Sequence, residues 1–248
     1  MSYLTDAILL LAAFAAGALN SIAGGGILIT FPTLVFLGIQ PVAANITCTV
    51  GLFFGYFSSA WAYRKDFSEF RGSQIIGWLS ASLIGAVIGA EFLLKTSESK
   101  FVFVLPYLLL FATLLFTFGP SFAEKFKNRK SAPLLLTAAL LLSAVYGGYF
   151  GGGNGILILA LFSMAGMKNL NSMNAVKTLL AGFMNGVAVV VFVLNYPINW
   201  PLTFIVIAGA VSGGFLGAAF SKKVDPTVLR RYISVVGFAL TIYFFIRR

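Results

Sequence analysis

Two runs of residues have the composition to do chemistry: Asn20-Ser21-Ile22-Ala23-Gly24-Gly25-Gly26 and Gly147-Gly148-Tyr149-Phe150-Gly151-Gly152-Gly153-Asn154-Gly155. Glycine lets a chain turn sharply and leaves the first amides of the next helix uncovered. Those amides carry the positive end of the helix dipole, so they favour an anion. The plainer alternative is that the glycines only let helices approach closely. Against it, the clusters occur twice in equivalent positions, each ahead of an apolar stretch too short to cross a bilayer.

Polar side chains accumulate just downstream. Asn45, Thr49, Tyr56 and Ser59 share one helical face, and Asn174, Lys177, Ala181 and Asn185 share another. Lys177 is the one base inside an apolar segment, and a charge at membrane depth is a functional hypothesis by default. Snorkelling of its long stem to the headgroups is the bland reading.

Other chemistries lack their residues. There is no histidine, Cys48 is the single cysteine, and Asp66, Glu69, Glu98, Glu124 and Asp225 all fall in expected loops. A protease-like site needs a nucleophile with a base, or clustered metal ligands. Neither can be assembled, so no enzyme, cofactor or metal is expected. Glu91 alone lies within a segment, near its end, and its counterpart in the second half is Ala219, so a proton relay has no foundation. Asp6 sits near the terminus.

The elements that must position these residues are apolar. Hydrophobic residues make up 59% of the 248 and charged ones 10%, against about 25% charged in a soluble domain. Apolar stretches of spanning length recur from end to end, so the partner is the lipid bilayer. The net charge of +10 comes from short basic clusters between these stretches. Such clusters set topology and touch headgroups, and they form no groove for nucleic acid. Met1 to Asp6 has no positive n-region, so the first segment is expected to remain in the mature chain. Expected segments are 5–22, 26–37, 45–63, 73–94 and 100–118, then 131–149, 155–166, 175–195, 201–221 and 229–246.

The halves are copies. Gly24 to Ile29 matches Gly153 to Ile158 at an offset of 129, and beyond a one-residue gap Gly38, Gly85, Gly89, Ala90 and Phe92 pair with Gly166, Gly213, Gly217, Ala218 and Phe220 at 128. Five passes per half would invert the second copy; four would leave it parallel. Five passes put twelve bases on the cytoplasmic side against four outside, whereas four passes give at best nine against seven. The positive-inside bias therefore favours five, with both termini outward. A dozen helical residues rise only about 18 Å, short of the roughly 30 Å hydrocarbon core. The expected fold is an all-α integral membrane protein of two inverted five-segment repeats, 1–122 and 123–248, together one transport domain. Each repeat starts with a glycine-tipped helical hairpin, and inversion brings the two tips together near the midplane.

At this point the residues resemble a known family, the TauE/SafE sulfite exporters, also described as sulfonate or anion permeases. The likeness rests on Gly17 to Gly26 with Pro32 and Gly38-Ile39-Gln40-Pro41, on Tyr63-Arg64-Lys65, and on Tyr146 to Gly155 followed by Asn174-Ala175-Val176-Lys177. It covers nearly the whole chain. The resemblance implies a carrier of sulfite, sulfonates or related organosulfur acids in the cell (inner) membrane. One stretch departs: many members carry a Gly-Thr-Asn-like run where this chain reads Asn45-Ile46-Thr47-Cys48-Thr49, so the class of solute carries over and its identity does not.

Taken together, a small anion is expected at the amides of Gly24, Gly25, Gly26, Gly152, Gly153 and Gly155. Asn20, Ser21, Thr49, Asn154, Asn174 and Asn185 would add hydrogen bonds and Lys177 charge, with alternating access as the mechanism. A passive anion channel, or a carrier for an anion without sulfur, is the alternative. The residues say nothing of oligomeric state. In a Cys48→Ser background, cysteines at Ser2 and Arg248 should react with an impermeant maleimide from the outer face only, and cysteines at Arg64 and Lys127 from the inner face only.

Overall fold

A computed structural model describes residues 3–22, 25–62, 72–126, 133–167, 169–220 and 226–246. The described residues form ten α-helices: α1 (Tyr3–Ile22), α2 (Ile27–Phe36), α3 (Pro41–Ala62), α4 (Gly72–Lys95), α5 (Glu98–Phe126), α6 (Pro133–Tyr149), α7 (Asn154–Met164), α8 (Leu170–Asn195), α9 (Trp200–Phe220) and α10 (Pro226–Ile246). Each expected segment corresponds to one helix. The ends move where local chemistry permits. Pro41 opens α3 four residues early, at the first helical position where its missing N–H has no partner to lose. α5 continues to Phe126, past the expected end at 118, because a helix may run on into the headgroup zone after its apolar stretch is exhausted.

The fold is all-helical, and its outer surface is apolar. Five helices among the described residues (α1, α4, α5, α8 and α9) are long and apolar enough to cross a membrane. Leu11, Leu142, Val190 and Ile242 each expose more than half of their surface. In water so broad an apolar exterior would drive association; in hydrocarbon it is the solvated face. The chain is a multi-pass membrane protein.

Lipid supplies no hydrophobic drive between helices, so packing must come from close backbone approach. Glycine provides it. On α9, Gly209, Gly213 and Gly217 lie against Leu10, Phe14 and Ala18 of α1, each step four residues along both helices. On α4, Gly85 and Gly89 meet Leu141 and Val145 of α6 in the same way. These two pairs are the most extensive in the molecule, and a methyl group at Gly89 or Gly213 would strike the facing carbonyl.

The contacts fix relative directions. α1 runs with α9, and α4 with α6. α3 also runs with α9, since Gly51 meets Val206 and Gly55 meets Ala210. α3 runs against α8, where Tyr56 lies at Gly182 and Phe53 at Gly186. α5 opposes α10: Thr113 abuts Gly237, and the Thr117 hydroxyl donates to Ser234 Oγ at 2.7 Å.

The two short helices end alike. Gly38 and Gly166 both have φ of +87°, and in each case the following N–H reaches back five residues, Ile39 to the Leu34 carbonyl and Met167 to the Phe162 carbonyl. Glycine is needed there because the left-handed conformation crowds a Cβ.

Gly89→Ala should lower the melting temperature in detergent, by an overpacking cost of about 1–3 kcal/mol. Gly77→Ala, where nothing lies within 4 Å of the added carbon, should leave it unchanged or slightly raised.

Candidate functional site

At the first corner the chain leaves α1 and starts α2 within four residues. Gly25 turns it with φ of +93°, and Gly26 is the N-cap of α2. Gly24 lies outside the described residues. The Gly26 N–H donates to Asn20 Oδ1 at 2.6 Å, and both residues are buried. Only glycine fits, since an added Cβ would stand 2.9 Å from Asn20 Cγ and closer still to the Ala16 carbonyl. Asn20 thus binds the start of α2 back onto α1. Ser21, fully buried, donates to the Ala18 carbonyl at 2.8 Å.

The second corner is built differently. Gly151 and Gly153 both take left-handed φ, +79° and +73°. Tyr146 donates its hydroxyl to the Gly152 carbonyl, and Ser143 donates to Asn154 Oδ1 at 2.6 Å. The Asn154 N–H goes to the Gly151 carbonyl at 3.2 Å. The N–H groups of Gly152, Gly153 and Gly155 have no acceptor among the described residues, and all three residues are buried. Buried donors without partners are rare in folded proteins and costly. Successive backbone N–H groups left open in a turn carry partial positive charge and suit an anion.

Both corners rest on α5. Gly25 lies against the Phe116 ring, and Gly152 and Gly153 against Ala112. Four helical residues separate those supports, a rise of about 6 Å. Phe31 of α2 meets Phe150 edge-on, with centroids 5.7 Å apart. Asn45 of α3 donates from Nδ2 to the Tyr149 carbonyl at 2.8 Å, occupying one of the orphan carbonyls at the end of α6, while its buried Oδ1 has no partner among the described residues.

The polar stripes divide between joining helices and capping themselves. Tyr56 has its hydroxyl within hydrogen-bonding reach of both Asn20 and Asn185, linking α1, α3 and α8. Tyr56 and Asn185 are half-buried. Asn185 Nδ2 and Thr49 Oγ1 also donate back to carbonyls of their own helices, Ala181 at 2.8 Å and Asn45 at 3.0 Å. The Ser59 side chain is outside the described residues.

Lys177 does not snorkel: it is 1% exposed, and its ammonium donates to Asn174 Oδ1 at 3.1 Å. No acid pairs with it among the described residues, whose single ion pair is Lys95–Glu91 at 3.3 Å. Its ammonium turns toward the α8 N-terminus. Met184, seven residues or about 10 Å of rise the other way, touches Gly147 beside the second corner.

The sequence pattern identified the corners and most of the polar groups near them. It missed the part played by Tyr56, which sits on the stripe but gave no sign that it bridges three helices. It also missed Ser143 and Tyr146, whose partners lie across a glycine turn that no periodicity spans.

Apolar helices around buried polar side chains and two glycine corners place the chain in the class of multi-pass membrane proteins. The family profile described as sulfite exporter TauE/SafE matches residues 9–244, and the chain belongs to that family of membrane transporters. Among curated relatives, a "Probable membrane transporter protein" of Haemophilus influenzae is 30% identical over 95% of this chain and 92% of its own length. The "Probable membrane transporter protein ORF9" of a Sinorhizobium species is 28% identical over 95% and 90%. The "Probable membrane transporter protein YfcA" of Escherichia coli K12 is 25% identical over 92% and 85%. No solved structure matches the chain.

Asn20→Ala removes the acceptor for a buried N–H and should cost about 1–3 kcal/mol, measured as a lowered melting temperature. Asn20→Asp keeps an acceptor at that position and should retain more of the stability than alanine does.

Proposed function

We propose that this protein is a secondary transporter of small sulfur-containing anions such as sulfite or a sulfonate, working by alternating access in the cell (inner) membrane. In this reading residues 1–122 and 123–248 are inverted repeats whose glycine-tipped hairpins meet near the midplane and hold the anion between them. The carrying observation is the second corner, where the buried N–H groups of Gly152, Gly153 and Gly155 have no acceptor among the described residues. A tetrahedral or pyramidal oxyanion offers several acceptor oxygens at once, which matches a cluster of fixed donors better than a halide does.

Helix directions support the inversion. If each half crossed the membrane an even number of times, α3 would oppose α9 and α5 would run with α10. The observed pairs have the opposite sense. The exchange of partners supports it too: α1 on α9 in one place, α6 on α4 in the other.

Within this site the amides of Gly25 and Gly26 frame the first corner together with Gly24, and Asn20 and Ser21 fix it to α1. Asn154 and Gly152, Gly153 and Gly155 face the solute. Thr49, Asn174 and Asn185 supply polar wall. Lys177, buried with no acidic partner among the described residues, adds positive potential from about two helical turns along α8, without contacting the corner. Export of an anion runs down the inside-negative potential, about 2.3 kcal/mol per charge per 100 mV, so efflux needs no coupling ion.

Purified protein in liposomes should accelerate flux of one or more of sulfite, sulfoacetate, taurine and thiosulfate with saturable counterflow. Saturation without counterflow would instead indicate a channel, and preference for simple carboxylates a carrier for anions without sulfur. Gly153→Ala, strained by its left-handed φ and set against the Ala112 carbonyl at 3.2 Å, should abolish that flux. Lys177→Met should weaken binding of the best anion tenfold or more; equal binding would remove the lysine from the site.

A further inference from the structure

Away from the corners, a pocket of about 240 Å³ opens where the α2–α3 link (residues 37–40) faces the α8–α9 link (196–199). Gln40, Thr47, Tyr196 and Asn199 give it a polar lining. One wall is held by Glu98, whose Oε1 accepts the Val42 N–H at 3.1 Å. The other is held by Asn199, whose Oδ1 accepts the Leu202 N–H at 3.3 Å. The start of α3 is thus tied to the start of α5, and the α8–α9 link to the start of α9, so both sides of the mouth are anchored.

The pocket stops at a seam. Ala43, Ile46 and Thr47 of α3 and Leu202 of α9 line it, and one turn deeper those two helices close on each other. Gly51 takes the Val206 side chain directly, leaving no room for a Cβ, and Gly55 takes Ala210. Beyond that seam on α3 comes Tyr56, with Asn20 and Asn185 around it. A polar mouth and a polar centre thus lie along one helix, separated by two turns of apolar contact.

The corresponding seam, between α8 and α4, is less extensive. The α8 glycines Gly182 and Gly186 face Tyr56 and Phe53 of α3 instead of α4. Two seams that are equivalent by exchange of the halves are therefore in different states within one molecule. At Gly51 the seam is glycine against an aliphatic side chain, a contact that separates without breaking a hydrogen bond between the two.

We propose that the α3–α9 seam is the gate on the face bearing residues 37–40 and 196–199, closed in this structure by Gly51 on Val206, and that the pocket above it is the antechamber through which the solute passes. This rests on the transport reading. The antechamber has hydrogen-bonding groups but no cationic side chain in its lining, so it passes a small anion without retaining it.

The chain carries its own reporter. Cys48, the single cysteine, is fully buried on α3, three residues before Gly51 and seven before Gly55, on the same helical face. In intact cells and in inside-out vesicles, the rate at which an impermeant maleimide modifies Cys48 is measured for the parent, for Gly51→Leu, which wedges the seam, and for Gly77→Leu, whose glycine has open space around it. Gly51→Leu should raise the rate tenfold or more from the antechamber face alone, with Gly77→Leu unchanged. A parental rate in folded Gly51→Leu, or a rise from the other face, overturns the gate.

Should Gly51→Leu not fold, Gly55→Cys with Ala210→Cys in a Cys48→Ser background decides the matter. The two Cβ positions lie 3.5 Å apart, within disulfide range. Oxidation should stop counterflow and reduction restore it; oxidised protein that transports like reduced protein overturns the gate. Loss of the transport reading looks different, because the parent would then show no counterflow of any anion while Cys48 labelling still reports whether the seam opens.

Discussion

A backbone N–H in hydrocarbon must find an acceptor, because there is no water to supply one, and this requirement governs the protein from its helix ends to its centre. Nearly all of the described chain meets it by being helical. Where helices begin, side chains take up some of the freed donors: Asn20 that of Gly26, Asn199 that of Leu202 and Glu98 that of Val42. The amides at Gly152, Gly153 and Gly155 have no acceptor among the described residues. They sit where two chain breaks lean on the same helix, a turn apart.

The second constraint is the absence of a hydrophobic drive within lipid. Helices that must associate there do so by contact area and close approach, and glycine allows backbones to touch. The same residue serves opposite ends at different positions in this molecule. At Gly89 and Gly213 it brings helices together along their length, where a methyl group would collide with a carbonyl. At Gly25, Gly151 and Gly153 it adopts left-handed backbone that turns the chain. Glycine at Gly51 and Gly55 does something between the two, giving α3 a smooth surface against α9. Membership of the TauE/SafE family gives this architecture a context of membrane transport.

How much of this was legible beforehand differs by feature. Helix number and order followed from apolar stretches of recognisable length, since lipid imposes a nearly uniform requirement on every segment. Gly85, Gly89, Gly213 and Gly217 stand at four-residue spacing on uninterrupted helices, and that spacing is the one on which the helices pack. Less accessible were the partners. Asn20 looked like a ligand for a solute, but its oxygen is engaged by Gly26; Asn45 looked like a member of a stripe, but it holds the end of α6, 104 residues away. Lys177 was recognised as buried charge, and its orientation toward Asn174 was not.

The sequence by itself determined that this chain lives in lipid, that its helices follow in the order observed, and that glycine clusters stand ahead of the two short ones. These are properties of composition and local period, which the bilayer reads segment by segment. Only the tertiary structure decided which polar atoms are occupied and which are left open, because a hydrogen bond across helices depends on rotation and depth that no one segment specifies. It also decided that α3 lies against α9 more extensively than α8 does against α4. Contacts of that kind depend on how each helix is rotated against its neighbour, which the residues of one helix leave open.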